Sequence, residues 1–422
     1  MKLSCHVLII LSLIFIIGCA SNGTMDEAIK AEYPQSLTLR LKNDTNSSRT
    51  DEAVVLDIAR IKENVPAFNP NAVVNFCNGA ELPGQTNDLD EDGNADQIVV
   101  VADFKPNETK KLNIRYAASG EKLRDYPKRT QAELSVKVGG KFVNRKYIDG
   151  TFQNIKFLKV PPEHTDHSEY IRYEGPGWES DKVGYRFYLD WRNATDIYGK
   201  KVPDMVLQDV GLDGYDSYHE MSDWGMDVLK VGESLGIGSI GMWYENKAVR
   251  VSQIDSSTCA IVLNGPVESL IRTRYWGWKV GDANYNVTSD LSITAGSRMT
   301  RHVLKIDGEP KNLCTGIVKH PDAELIQSDQ YDGWCYLANY GVQSLAEDKL
   351  GMAVIYRQAD LIEITEDEYS HVVVLKSTMG AVSYYFLAAW EKEPNGITTR
   401  EEFVDYLEEV VTRLNNPIEI QY

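Results

Sequence analysis

The chain has 422 residues, with 62 acidic against 44 basic side chains and a formal net charge of −18 at pH 7. No lysine or arginine cluster interrupts the acidity, which excludes a nucleic-acid partner on electrostatic grounds. Aromatic residues make up 10%, including 8 Trp and 23 Tyr, a supply that suits sugar-ring stacking and equally the filling of a β core.

In chain order, the opening is a lysine at position 2, an apolar run from Val7 to Ile17, then Gly18 and Cys19. That run is shorter than the ~20 apolar residues of a membrane span and lacks a basic stop-transfer cluster, so it reads as a secretion signal cleaved after residue 18. Ile16-Ile17-Gly18-Cys19 resembles the bacterial lipobox, which makes Cys19 the lipidated first residue of an exported protein. No Asp follows the cysteine. The expected address is the outer membrane, on either its periplasmic or its surface face, with the lipid as the only membrane contact. Residues 19–35 are polar and unpatterned, as a tether would be.

From Ser36 the pattern turns to period two, with Leu37, Leu39 and Leu41 alternating with polar residues. Similar runs recur at 97–104 and 134–138, and Gly139-Gly140 before 141–143 predicts a hairpin. Residues 36–160 are expected to form an N-terminal antiparallel β module. Pro161-Pro162 marks a boundary. Beyond it, runs at 185–189, 239–244, 269–278, 289–294, 352–356, 371–375 and 384–390 predict large antiparallel sheets, so the fold class is all-β with 161–422 as the main domain. One helix closes the chain: Thr399 and Glu402 form a capping box, Phe403, Tyr406, Leu407, Val410, Val411 and Leu414 make one stripe, and Pro417 ends it.

Beyond Cys19 there are four cysteines: Cys77, Cys259, Cys314 and Cys335. Their spacing lacks a zinc pattern, while an oxidising envelope permits a disulfide, for which Cys314 and Cys335 are the expected pair.

Asp88-Leu89-Asp90-Glu91-Asp92-Gly93-Asn94-Ala95-Asp96 places carboxylates at alternate positions around a glycine turn. Asp88, Asp90, Asp92 and Asp96 are thus candidate ligands for a structural Ca²⁺, the alternative being a metal-free acidic turn. No organic cofactor is expected. In 172–188, period two places Glu179, Asp181 and Tyr185 on one strand face, with Lys182 and Arg186 on the other. Glu179 and Asp181 are an acid/base pair or structural ion-pair partners. The stretch 215–232 crowds polar and aromatic residues without a burying period. There His219 is the first proton-transfer candidate, ahead of His320 and His302.

The stretches EGPGWESDKVGYRFYLDWRNATDIYGK from Glu174, SYHEMSDWGMDVLKVGESLGIG, GPVESLIRTRYWGW, SDLSITAGSRMTRHVLKI and CTGIVKH resemble the bacterial domain of unknown function 4861 across most of the chain. The later segments also resemble the galactose-mutarotase-like β-supersandwich, which assigns that architecture to 161–422. One type in the family is similar to an ulvan-oligosaccharide dehydratase, and the resemblance implies removal of water from a non-reducing-end uronic acid to leave a 4,5-unsaturated residue. Such chemistry needs a group to neutralise the carboxylate, a base for the C5 proton and an acid for the departing hydroxyl. The residues expected in these roles are Arg186 or Arg272, then His219, then Tyr218 or His320. Trp178, Glu179, Asp181, Asp223, Trp224 and Lys230 are expected to bind the oligosaccharide. A glycoside hydrolase, epimerase or polysaccharide lyase on the same fold, or a non-catalytic glycan-binding lipoprotein, are the alternatives.

Overall fold

The computed structural model describes residues 27–329 and 332–422. The expected signal and Cys19 lie outside these residues. The expected tether does so only in part: Glu27–Glu32 is a short helix, and Tyr33 is buried beside Val74 and Phe76.

The architecture is all-β, and every pairing between strands is antiparallel. Near the N-terminus a five-stranded and a three-stranded sheet enclose one core. Leu39, Leu41, Leu112 and Ile114 come from the first, and Val54, Leu56, Ile98 and Val100 from the second. These are the alternate apolar positions of period-two strands, all turned to one side. The last strand, Glu419–Gln421, pairs with Gln35–Lys42 and so brings the chain's end back to its beginning.

The larger body is built on a nine-stranded sheet running from Phe157–Lys159 to Ala323–Gln327. Two five-stranded sheets share its core: Trp178, Tyr185 and Ile197 come from one, Ile317 and Val373 from the other, and Tyr275, Leu291 and Phe386 from the nine-stranded sheet. The helix Arg400–Asn415 carries the expected capping box and lays Phe403, Leu407, Val410 and Val411 on Tyr336, Ala338, Ala353 and Leu387.

Strand pairing crosses the expected division at residue 161. Thr130–Glu133 pairs with Gly177–Ser180, and Phe157–Lys159 pairs with Ser256–Asn264, so these two strands belong to the sheets of the larger body. The expected hairpin at Gly139-Gly140 is also displaced. Ser135–Val138 pairs with Thr151–Asn154, while Lys141–Val143 turns back on Lys146–Ile148 through Asn144 and Arg145. Both turn residues have positive φ, 49° and 66°, as a two-residue type I′ turn requires. The expected Cys314–Cys335 bond is not formed: Cys77, Cys259 and Cys314 are free and buried, and Cys314 and Cys335 sit on different sheets.

Candidate active site

The five-stranded sheet of Thr130–Glu133, Gly177–Ser180, Val183–Phe187, Thr195–Lys200 and Gly225–Asp227 has one apolar and one ionic face. Val183, Tyr185, Phe187 and Ile197 point into the shared core, so their strand neighbours Arg186, Asp196 and Tyr198 must point away. The inward face is pinned by hydrogen bonds: Trp178 Nε1 donates to Thr300 Oγ1 (2.8 Å), and Tyr185 Oη donates to the Arg298 carbonyl (2.7 Å). The outward face is roofed by residues 201–224, whose Val206, Leu207, Val210 and Tyr218 pack on Tyr173 and Tyr198.

The two-residue turn at Asp181-Lys182 changes the expected facing. Trp178 pairs with Tyr185 and Glu179 with Gly184, so Glu179 shares a face with Arg186 and not with Tyr185. Beyond it, Gly225 closes the sheet. Its φ is +134°, and a Cβ there would stand 1.8 Å from the Gly199 carbonyl oxygen, so only glycine admits this strand.

Arg186 is the hub of the buried face. Its Nε and Nη2 donate to Asp196 Oδ2 (3.1 and 2.8 Å), Nη2 to Asp227 Oδ2 (2.6 Å) and Tyr188 Oη (3.0 Å), and Nη1 to Tyr218 Oη (3.0 Å). Tyr188 Oη in turn donates to Asp196 Oδ2 (2.7 Å). Tyr198 lies against this group, its ring 5.6 Å from the guanidinium carbon, and its buried hydroxyl has no hydrogen-bond partner among the described residues. Burial, with Asp196 next to it, pushes the Asp227 carboxyl well up despite the pull of Arg186.

His219 stands at the edge of this cluster. It ends a short turn, Ser217–His219, with Nε2 3.4 Å from Asp227 Oδ2 and its side chain 30% exposed. Burial, and then the Arg186 charge, pull its pKa below the usual histidine value, so the imidazole is neutral at pH 7. The Tyr218 and Tyr215 rings lie 4.5 and 5.0 Å from it, and burial raises Tyr215 to about 12. Tyr218 accepts from Arg186, which leaves its own proton to donate, and burial keeps that phenol protonated.

A second ionic group adjoins the first. Arg192 reaches Asp190 (2.5 Å), Asp166 (2.8 Å) and Glu174 (2.9 Å) and stacks 3.9 Å over Tyr188, the ring that also meets Arg186. His167 lies near by, its ring 4.3 Å from Tyr215. Positive φ angles recur here in non-glycine residues: 55° at His167, 39° at Tyr173 and 70° at Glu174. Such conformations cost of order 1–3 kcal/mol each and persist where the surroundings impose them.

Of the residues the sequence singles out, Arg186, Tyr218 and His219 are brought together. Arg186, however, already donates to two carboxylates, two hydroxyls and the Tyr173 carbonyl, so it organises the cluster and has no donor left for a substrate carboxylate. Arg272 is elsewhere, on the nine-stranded sheet, paired with Asp290 and donating to the Leu89 carbonyl of the Asp-rich loop. His320 follows the Leu313–Val318 strand of another sheet and accepts from the Asp322 amide (3.2 Å). His302 is a core residue bonded to Ser289 Oγ (2.7 Å), its pKa driven down to about 3 by burial.

Three expected sugar contacts are structural as well. Trp178 is 0% exposed. Glu179 is equally buried, with Lys200 Nζ at 2.6 Å and the Val206 and Leu207 amides at 2.8 Å each, so it anchors the roof loop. Asp181 accepts from Arg129 and the Gly296 amide. Asp223 and Lys230 are exposed, and Trp224 leans on Tyr198 with ring centroids 5.9 Å apart. Sequence reasoning missed Asp196, Asp227, Tyr188, Arg192, Glu174, Asp166 and His167, since only sheet register and loop closure assemble them.

In the Asp-rich loop, oxygens of Asp88, Asp90 and Asp96 lie within 4.8 Å of one another. Asp92 is outside this group, its Oδ1 accepting from the Asn94 amide (2.7 Å).

A family model, "Domain of unknown function (DUF4861)", matches residues 41–420. The chain belongs to the DUF4861 family. Among curated proteins, this DUF4861 member is 21% identical over 409 residues to "Uncharacterized protein P7" of Formosa agariphila, covering 90% of this chain and 92% of that one. Two solved structures from Enterococcus faecalis also align with 92% of the chain. They are a protein in glycosyl hydrolase family 38 (8% identity, TM-score 0.41) and an alpha-mannosidase of strain V583 (9%, 0.43). The chain spans about half the length of each, 47% and 46%.

Proposed function

We propose that this DUF4861 protein is a carbohydrate-active lyase that removes water from the non-reducing-end uronic acid of an oligosaccharide, held at the outer membrane through a lipid on Cys19. The observation that carries the reading is the pairing of a neutral, partly exposed His219 with a protonated Tyr218 over one buried Arg186 hub. The family resemblance supplies the substrate class, and the cluster supplies a base beside an acid.

His219 takes the proton from C5, whose bond electrons form the C4=C5 double bond as the C4–O bond breaks. Tyr218 gives its proton to the departing hydroxyl, which leaves as water. The phenolate left behind faces Arg186 Nη1 at 3.0 Å, and solvent returns the proton from His219 to Tyr218. Asp227 Oδ2, 3.4 Å from His219 Nε2, orients the imidazole. Asp223 and Lys230, exposed on the segment that follows His219, offer polar groups for sugar hydroxyls, with Trp224 as a ring surface. A structural Ca²⁺ on Asp88, Asp90 and Asp96 belongs to the same proposal, three hard oxygen donors fitting that ion.

The test follows ultraviolet absorbance of the conjugated product on uronic-acid oligosaccharides. Wild type is expected to generate it and His219→Gln to lose it. An unchanged rate in His219→Gln removes His219 from the mechanism, and binding without product leaves a glycan-binding module.

A further inference from the structure

The site described above gathers five carboxyl groups around two guanidinium groups. Asp166, Glu174, Asp190, Asp196 and Asp227 are ion-paired with Arg186 and Arg192, and both guanidinium groups already donate within the protein. Both guanidinium groups are therefore already engaged by the protein's own carboxyl groups.

At its rim, Asp166, His167 and Glu174 each offer one ligand atom, and the three lie within 4.8 Å of one another. Glu174 is 3% exposed. Its Oε1 accepts from the His167 amide (2.8 Å) and meets Arg192, but Oε2 has no hydrogen-bond partner among the described residues. A buried carboxylate oxygen without a donor is costly to desolvate, of order 1–3 kcal/mol or more, and Oε2 is left open to a cation beyond Arg192. His167 is exposed, so the group opens to solvent on one side. One imidazole and two carboxylates, with positions left for water, suit a first-row divalent cation such as Zn²⁺, Mn²⁺ or Co²⁺; Ca²⁺ prefers six or more oxygens. The His167 ring is 4.3 Å from Tyr215, which is 5.0 Å from His219.

We infer that Asp166, His167 and Glu174 form a three-ligand site for a first-row divalent cation at the rim of the His219 cluster, where the ion receives the carboxylate of an anionic sugar. The ion itself is inferred from these side chains alone, whereas its use as a carboxylate receiver rests on the dehydratase reading.

The test is metal binding without substrate. Full-length protein stripped with a chelator is titrated with Co²⁺ and Zn²⁺ by calorimetry, with the visible spectrum of Co²⁺ reporting nitrogen coordination. One equivalent with the spectrum of nitrogen coordination is expected to bind wild type. His167→Ala and Glu174→Gln each weaken it by about 10- to 100-fold or more. Should Glu174→Gln fail to fold, His167→Ala, an exposed substitution, decides alone. Absence of binding to wild type, or equal binding by His167→Ala, overturns the site. Separately, oligosaccharide turnover at the wild-type rate by chelated His167→Ala overturns the receiver role while leaving the dehydratase intact. A bound metal with no sugar chemistry overturns the dehydratase while leaving the site.

Discussion

Replacing Arg186 with Met removes the guanidinium that, alone among the described residues, is ion-paired with Asp196 and Asp227, both 1% exposed. Breaking a buried ion pair by deleting one partner typically costs about 3–5 kcal/mol, because a charge is left in a medium that solvates it poorly. Two carboxylates share this counter-ion, while Tyr188 Oη continues to donate to Asp196, so the expected loss at pH 8 is the upper part of that range, about 4–5 kcal/mol. The pH dependence follows from Asp227, whose pKa already lies well above the carboxylate range in the folded protein and rises further without Arg186. A group with a raised folded pKa contributes stability below its unfolded value, and that contribution disappears as pH climbs through the folded one. The variant is therefore expected to recover part of its deficit at pH 5.5. Urea denaturation at pH 5.5 and 8, followed by tryptophan fluorescence, measures it; Arg186→Lys, which keeps the charge without the fork, falls between. A loss under about 1 kcal/mol, or one that does not shrink on acidification, refutes the hub.

Four further outcomes are expected. Tyr218→Phe lowers kcat by roughly 10²- to 10⁴-fold with little change in denaturation midpoint, since the hydroxyl is an acceptor of one bond and the ring remains. The kcat/KM profile loses activity on the acid side at a pH below the ~6.5 of an ordinary histidine, because His219 must be neutral to act; an acid limb above that value contradicts its assignment. Lys200→Met leaves buried Glu179 with two amides and no cation and destabilises by about 3–5 kcal/mol, whereas Glu179→Gln in the same chain recovers part of the loss. Reducing agent leaves the melting midpoint unchanged, because Cys77, Cys259 and Cys314 carry free thiols.

The strands were legible where one face is apolar. Gln97–Phe104 and Arg400–Asn415 stand where periodicity and the capping box place them, since each buries a stripe that the sequence itself displays. Pairing across long separations was not. Glu419–Gln421 is too short to signal a strand, and only its partner at Gln35–Lys42, nearly the whole chain away, makes it one. The same reason hid half of the site. Asp196 faces Arg186 through sheet register and Asp227 joins through the neighbouring strand, while Glu174 is brought in by a left-handed turn at Tyr173. Tyr218 and His219 were visible because they stand in a polar, aromatic loop with no period to bury it. Glu179 and Trp178 misled for the opposite reason: residue type suggested contact with a sugar, and the turn at Asp181-Lys182 placed one under the roof loop and the other in the core.

The measurement that bears most directly on the proposed activity is the mass spectrum of an oligosaccharide with a saturated uronic acid at its non-reducing end, before and after incubation with wild type and His219→Gln. The dehydratase reading predicts a product of the same chain length lighter by one water, formed by wild type alone. Shorter sugars from wild type, or a loss of water that His219→Gln achieves equally well, would contradict it.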